Sequence, residues 1–265
     1  MTTAYLGPEG SYSHVAALEM TPEAELLACG NFSKVFSAVV TGGADCAVVP
    51  IENTLNGGIA QNIDFLQSFD GLFAFKEHAV KIDHRLFVRH GADVKKIKRV
   101  FSHAQAIEQC SRFLYKNLPE AKLIAVPSTA AGLEMISADS DAGIAGAHMR
   151  AAGLTASDCN IADESENHTY FLLIKRGCAD EKIPSRRIYF SAVCDNRAGA
   201  LLSLLRPVYE NGLNMTKIHS RPIKDRRDEY RFFIEAEADY SDANVRRALE
   251  EVKSGAKSFR ILGCY

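Results

Sequence analysis

Over residues 1–178, short apolar runs alternate with stretches whose apolar residues recur three or four apart, and this alternation constrains the chain most. Strand-like runs fall at Ala4–Leu6, Glu25–Cys29, Cys46–Pro50, Leu72–Phe75, Leu86–Arg89, Lys122–Val126, Ala142–Ala145 and Tyr170–Ile174. Between them one helical pattern carries Ile59, Ile63 and Leu66. Another carries Ile107, Cys110 and Leu114, with Ser102 and Gln105 spaced as a capping box before it. Strands alternating with helices predict an α/β region with mostly parallel sheets, which binds ligands beyond the carboxyl ends of its strands. Gly177–Arg187, polar and containing Pro184, reads as a linker. Beyond it come strand Ile188–Cys194, helix Ala200–Asn211, strands Asn214–Ser220 and Tyr230–Ala238, helix Ala243–Ser254 and strand Phe259–Leu262. That βαββαβ order is the ferredoxin-like pattern.

The remaining composition narrows the function by exclusion. The 265 residues are 47% hydrophobic and 24% charged, enough for a sizeable core in one large or two smaller domains. A net charge of -2 without a long basic block gives no electrostatic support to a nucleic-acid or anionic-membrane partner. No run approaches the roughly 20 apolar residues that span a bilayer. The start, Met1 to Leu6, is neutral and reaches Gly7-Pro8 before a signal-like stretch forms. Seven scattered cysteines without a Cys-x-x-Cys pair read as thiols in a reducing compartment, so a cytoplasmic protein is expected. The eight histidines lack metal-ligand spacing and read as structural or surface residues. Hydrolase, phosphate-binding and zinc-protease motifs are also missing. A cofactor-free reaction or simple binding is left.

Four segments sit where ligands would. Gly7-Pro8-Glu9-Gly10-Ser11-Tyr12-Ser13 follows the first strand and opens a helix, whose free N–H groups favour an anion. Pro50-Ile51-Glu52-Asn53-Thr54-Leu55-Asn56-Gly57-Gly58 places an acid, an amide and a hydroxyl together at a strand end. Pro127-Ser128-Thr129-Ala130-Ala131 puts two hydroxyls at a helix start, and Asn167-His168-Thr169-Tyr170-Phe171 opens the last strand before the linker. Ordinary turns, an N-cap and a β-forming Thr account for each one taken singly.

Together, and with Ser102-His103-Ala104-Gln105-Ala106 through Gln109-Cys110, these segments resemble in order and spacing the prephenate dehydratase family, over nearly the whole chain. Gly199-Ala200-Leu201 and Ser220-Arg221-Pro222 resemble the phenylalanine-sensing motifs of that family's ACT domain. The resemblance implies an α/β fold: a two-lobed, periplasmic-binding-protein-like catalytic region over residues 1–178, with a cleft, followed by a ferredoxin-like ACT domain over residues 187–265. It implies a carbon–oxygen lyase without cofactor or metal, which turns prephenate into phenylpyruvate with loss of CO2 and the ring hydroxyl. L-phenylalanine is the implied effector, and a homodimer or homotetramer the implied assembly. Thr169 becomes the catalytic residue at the leaving hydroxyl, with Glu52 and Asn53 orienting its network. Ser11, Thr54, Ser128, Thr129 and Phe171 become substrate-binding residues. Gly199, Ala200, Leu201, Ser220, Arg221 and Pro222 become effector-binding.

Two positions depart from the family pattern. Tyr170 replaces the Arg of Thr-Arg-Phe, and His219 replaces the Glu before Ser-Arg-Pro. Losing a substrate-facing Arg would cost about 1.5–3 kcal/mol, with Arg85 and Arg150 as candidate stand-ins. A prephenate decarboxylase, an arogenate dehydratase and a non-catalytic amino-acid sensor stay open as alternatives; an exported solute binder and a transcription regulator are disfavoured.

Overall fold

The computed structural model of the chain describes residues 1–223, 226 and 228–265. The first lobe is built from β1 (Thr2–Leu6), α1 (Tyr12–Met20), β2 (Glu25–Cys29), α2 (Phe32–Thr41), β3 (Cys46–Asn53), the short β4 (Gly57–Gly58), α3 (Ala60–Ser68) and β5 (Leu72–Lys81). The chain then crosses into a second lobe, made of β6 (His84–Arg89), β7 (Arg99–Ser102), α4 (Ala104–Gln109), α5 (Ser111–Asn117), β8 (Lys122–Ala125), α6 (Thr129–Glu134), β9 (Asp141–Gly146) and β10 (Leu154–Ala156). It returns as β11 (His168–Arg176), which lies between β5 and β3.

Residues 177–186 form no helix or strand. The C-terminal unit follows: β12 (Arg187–Val193), α7 (Ala200–Glu210), β13 (Asn214–Pro222), β14 (Tyr230–Glu237), α8 (Ala243–Gly255) and β15 (Ser258–Cys264), with strand order β13-β14-β12-β15. This is the expected ferredoxin-like order. Its sheet continues into that of the first lobe, because Gly263 of β15 pairs with Ala74 of β5. A Cβ at Gly263 would fall 2.7 Å from the Ala74 Cβ, so this junction requires glycine.

The sheets are less parallel than expected. β1 pairs with β2 and β3, and β7 with β8 and β9, in parallel. Wherever the chain crosses between lobes the pairing is antiparallel, as for β11 on β3 and β5, and β6 on β9 and β10. Crossing twice brings the returning strand back against the departing one, which forces that direction.

The helices lie on these sheets through apolar stripes. Val35, Phe36 and Val39 of α2 meet Ile63, Leu66, Leu72, Leu172 and Ile174 in the first-lobe core, each removed from water. Leu86, Val100, Leu114 and Ile144 centre the second core. Caps fix where helices begin: Ser11 accepts from the His14 N–H, Asn31 from Lys34, Ser128 from Ala131 and Asp242 from Asn244. The expected capping box is different. Ser102 ends β7, where its buried hydroxyl donates to the Ile144 carbonyl at 2.6 Å, and His103 caps α4 instead. The helical pattern through Ile107 and Leu114 is two helices, broken at Cys110.

Candidate active site

A cavity of about 260 Å³ lies between the lobes. On the first lobe its wall is the turn from Leu6 to Tyr12, with Asn53 and Thr169 at the adjacent ends of β3 and β11. The second lobe contributes His103, Gln105 and Gln109 of α4, and Ser128 and Thr129 before and within α6. Ile82 and His84 close it where the chain crosses. The closeness of α6 to its sheet depends on Gly132, where a Cβ would meet the Phe101 carbonyl oxygen at 2.8 Å.

The polar centre is the pair Asn53 and Thr169, directly opposite one another on β3 and β11. Asn53 is 6% exposed, and its Oδ1 accepts from the backbone N–H groups of Leu55 at 3.1 Å and Asn56 at 3.2 Å. That fixes the carboxamide. Its Nδ2 consequently donates to Asn167 Oδ1 at 2.8 Å and to Thr169 Oγ1 at 3.0 Å. With an oxygen lone pair of Thr169 so engaged, the hydroxyl proton is free to point into the cavity.

Ser11, Ser128 and Thr129 share this cavity as expected. Ser11 Oγ also donates to the Leu6 carbonyl. The wall carries no Lys or Arg among the described residues, so carboxylates there would meet hydroxyls, amides and the N–H groups of helix starts.

Other candidates lie elsewhere. Thr54 is exposed and accepts from the His168 N–H at 3.0 Å, bracing β11 outside the cavity. Phe171, 1% exposed, is not a substrate contact; it packs beneath α1 with Tyr5, Ala16 and Ala17. Glu52 is not part of the Thr169 network either. Side chains alternate along β3, so Asn53 faces the cleft and Glu52 the opposite side, where Lys217 Nζ of β13 lies 3.0 Å away. Tyr170 turns away by the same rule, its ring 5.1 Å from Lys217 Nζ. The missing family Arg is therefore a position at the back of the sheet. Neither proposed stand-in reaches the cavity: Arg85 is bidentate to Asp83 at 2.7 and 2.8 Å, and Arg150 holds the carbonyls of Ala147 and Met149.

Sequence reasoning missed His84. It is 3% exposed, with Nε2 3.0 Å from Gln109 Oε1 and a buried Nδ1 that has no partner among the described residues. The available signal was Gln109, inside a motif already noted. His148 Nε2 meets the Gly10 carbonyl at 2.8 Å across the lobes. Burial lowers the pKa of both imidazoles, and so holds them neutral. Since an unfolded His takes a proton below about pH 6.5, their contribution to stability is complete above that pH and declines as pH falls. Urea unfolding between pH 7 and 5.5 is expected to show stability dropping by up to about 1.4 kcal/mol per pH unit for each histidine. A flat profile that matches the His84→Asn chain would contradict this.

Residues 3–179 match the family model described as prephenate dehydratase, and residues 188–254 that of the ACT domain. The chain belongs to the prephenate dehydratase family. It is thereby an enzyme of the carbon–oxygen lyase class, with the expected two-part architecture. Among prephenate dehydratase relatives, the bifunctional chorismate mutase/prephenate dehydratase of Neisseria gonorrhoeae is 35% identical over 100% of this chain and 74% of its own. The crystal structure of the Arthrobacter aurescens prephenate dehydratase in complex with L-Phe superposes with a TM-score of 0.89. It is 29% identical, covering 100% of this chain and 90% of that one. A protein described as a novel type of quorum quenching acylase has a TM-score of 0.87 and 26% identity, covering 100% and 97%.

In the ACT unit, Gly199 adopts φ 76° before α7, which Ala200 and Leu201 open. Pro222 pairs with Tyr230 and Val193 with Arg231, so the end of β13 and the start of α7 lie at one end of the sheet. Ser220 and Pro222 are exposed there. Arg221 faces the other way, bidentate to Asp64 of α3 at 3.2 and 2.7 Å, and so secures the ACT unit to the first lobe. His219 faces that lobe too: a Cβ on Gly58 would lie 3.1 Å from its ring.

Proposed function

We infer that the cleft converts prephenate to phenylpyruvate, with Thr169 acting on the leaving hydroxyl. The observation that carries this reading is the Asn53 amide donating to Thr169 Oγ1, which leaves the Thr169 proton free to point into the cavity. The electron pair of the bond to the departing carboxylate moves into the ring, the ring C–O bond breaks, and hydroxide leaves as water once it gains a proton. The products are phenylpyruvate, CO2 and water. Aromatisation drives the change, so the site needs position and one proton donor rather than a cofactor. A free Thr is a poor acid, and the Asn53–Asn167 network is what organises it. Ser11, Ser128 and Thr129, with the starts of α1 and α6, are assigned to the two carboxylates. Acyl transfer is the less favoured chemistry, because among the described residues no cleft hydroxyl is hydrogen-bonded to a histidine base.

L-phenylalanine is assigned to the end of the ACT sheet near Gly199–Leu201, Ser220 and Pro222. A homodimer or homotetramer is supported by the unpaired edge of β13, whose Met215 and Ile218 are exposed, and by Leu202, 68% exposed on α7. A cytoplasmic setting is supported by seven unpaired cysteines; among the described residues no helix is long and apolar enough to cross a membrane. The test is product identification by NMR after incubating the protein with prephenate near neutral pH. Phenylpyruvate is expected. A product that keeps its hydroxyl would mean a decarboxylase, and unchanged prephenate would move the assignment to arogenate or to a sensor.

A further inference from the structure

Behind the catalytic pair, on the face of the sheet away from the cleft, Lys217 of the ACT unit meets first-lobe side chains together with Glu235 of its own unit. Its Nζ lies 3.0 Å from Glu52 Oε2, 3.0 Å from Glu77 Oε1 and 3.2 Å from Glu235 Oε2, and 5.1 Å from the centre of the Tyr170 ring. Glu52 belongs to β3, Tyr170 to β11 and Glu77 to β5, so a single ammonium touches three adjacent strands of the first lobe. Glu52 and Tyr170 are the chain neighbours of Asn53 and Thr169, and they face each other across the ladder.

The ladder is irregular at this point. Tyr170 pairs with Glu52 but Phe171 with Pro50, which leaves Ile51 as an extra residue on β3. A bulge disrupts local pairing and re-aims the side chains beside it. Here those side chains are Asn53 and Thr169, held by one 3.0 Å hydrogen bond between them. Both departures from the family pattern, Tyr170 and His219, also fall on this contact, His219 two residues from Lys217 on the same face of β13.

We propose that Lys217 is a positioning residue for the dehydration: supplied by the ACT unit, it clamps β3 and β11 at the bulge from behind and so sets the spacing of Asn53 and Thr169. The proposal rests on Thr169 acting at the leaving hydroxyl. A misplacement of about 1 Å in a catalytic group costs up to about a hundredfold in rate.

The test compares Lys217→Met, which keeps the stem and removes the charge, with Lys217→Arg in the full chain. Lys217→Met should lower kcat by roughly ten- to a hundredfold with KM unchanged, Lys217→Arg should recover most of it, and Lys217→Met should add no loss to a Thr169→Ala chain. A folded Lys217→Met protein with full kcat would overturn the proposal, as would an equal further loss in the Thr169→Ala background. Should Lys217→Met fail to fold, Tyr170→Leu removes the ring under the ammonium without unpairing a carboxylate. It must lower kcat in the same direction, and an unchanged kcat overturns the clamp. A Thr169→Ala chain that keeps its full rate overturns the assignment of Thr169 itself, and with it the basis of the proposal.

Discussion

Replacing Thr169 with alanine is expected to lower kcat by about 10²- to 10⁴-fold, the range a positioned proton donor supplies. KM should change little, because the hydroxyl acts on a group that develops charge only as the C–O bond breaks. The fold should survive. Without Oγ1, the Asn53 amide still donates to Asn167 Oδ1 at 2.8 Å and to the His168 carbonyl at 3.2 Å, so no buried donor is stranded. Thr169→Ser keeps the hydroxyl and should retain much of the rate, whereas Thr169→Val keeps the shape and should behave as alanine does. Steady-state kinetics on the three variants decide the point. An alanine variant within a few-fold of the parent would remove Thr169 from the chemistry.

The second large effect concerns stability. Glu235 is 1% exposed, and it accepts from the Tyr265 hydroxyl at 2.7 Å, Thr216 Oγ1 at 2.7 Å, Lys217 Nζ at 3.2 Å and Arg187 at 3.2 Å. Removing one member of such a buried ionic group leaves the others without full compensation, a loss of about 3–5 kcal/mol. Glu235→Ala is expected to show that loss in urea unfolding, and Glu235→Gln less, since an amide oxygen still accepts from Tyr265. Burial pushes the Glu235 carboxyl up, but Lys217, Thr216, Tyr265 and Arg187 together bring it below the ordinary glutamate range. Its contribution is therefore complete above the unfolded-state value near pH 4.3 and lost as pH falls through the lower folded value. A Glu235→Ala chain within about 1 kcal/mol of the parent at neutral pH would show that the cluster does not hold the ACT unit in place.

Much of this arrangement was legible in the sequence because it depends on local pattern. Apolar periodicity marked most strands and the two-part order, and the spacing of Asn53 and Thr169 within a resembling set of segments pointed to the centre of the cleft. What was not legible depends on which way a strand residue faces. Glu52 beside Asn53, and Arg221 beside Ser220, read as neighbours in sequence but lie on opposite faces of their strands. A bulge at Ile51 sets which residue of the first pair faces the cleft, and Pro50 directly before it, a residue that interior strands tolerate at bulges, was its one local signal. Strands β4, β7 and β10 were missed, although β8, no longer than β7, was marked. The break at Cys110, by contrast, is silent in the sequence, since neither residue type that interrupts helices is present there. His84 went unnoticed because a single histidine at a strand start looks structural until a crossing chain places it in a wall.

The pairing of Gly263 with Ala74 gives the molecule an uneven mechanics. With the C-terminal unit and the first lobe sharing one sheet, any motion between the lobes would carry these two together and displace the second lobe, which has its own sheet. The two crossing segments, residues 82–83 and 157–167, meet where the Ile82 N–H donates to the Asn167 carbonyl at 2.8 Å. Thr169 and Asn53 belong to the same sheet as the ACT unit, while Ser128 and Thr129 belong to the second lobe. The structural path from the ACT unit to Thr169 stays within one sheet, and the path to Ser128 and Thr129 leaves it for the second lobe.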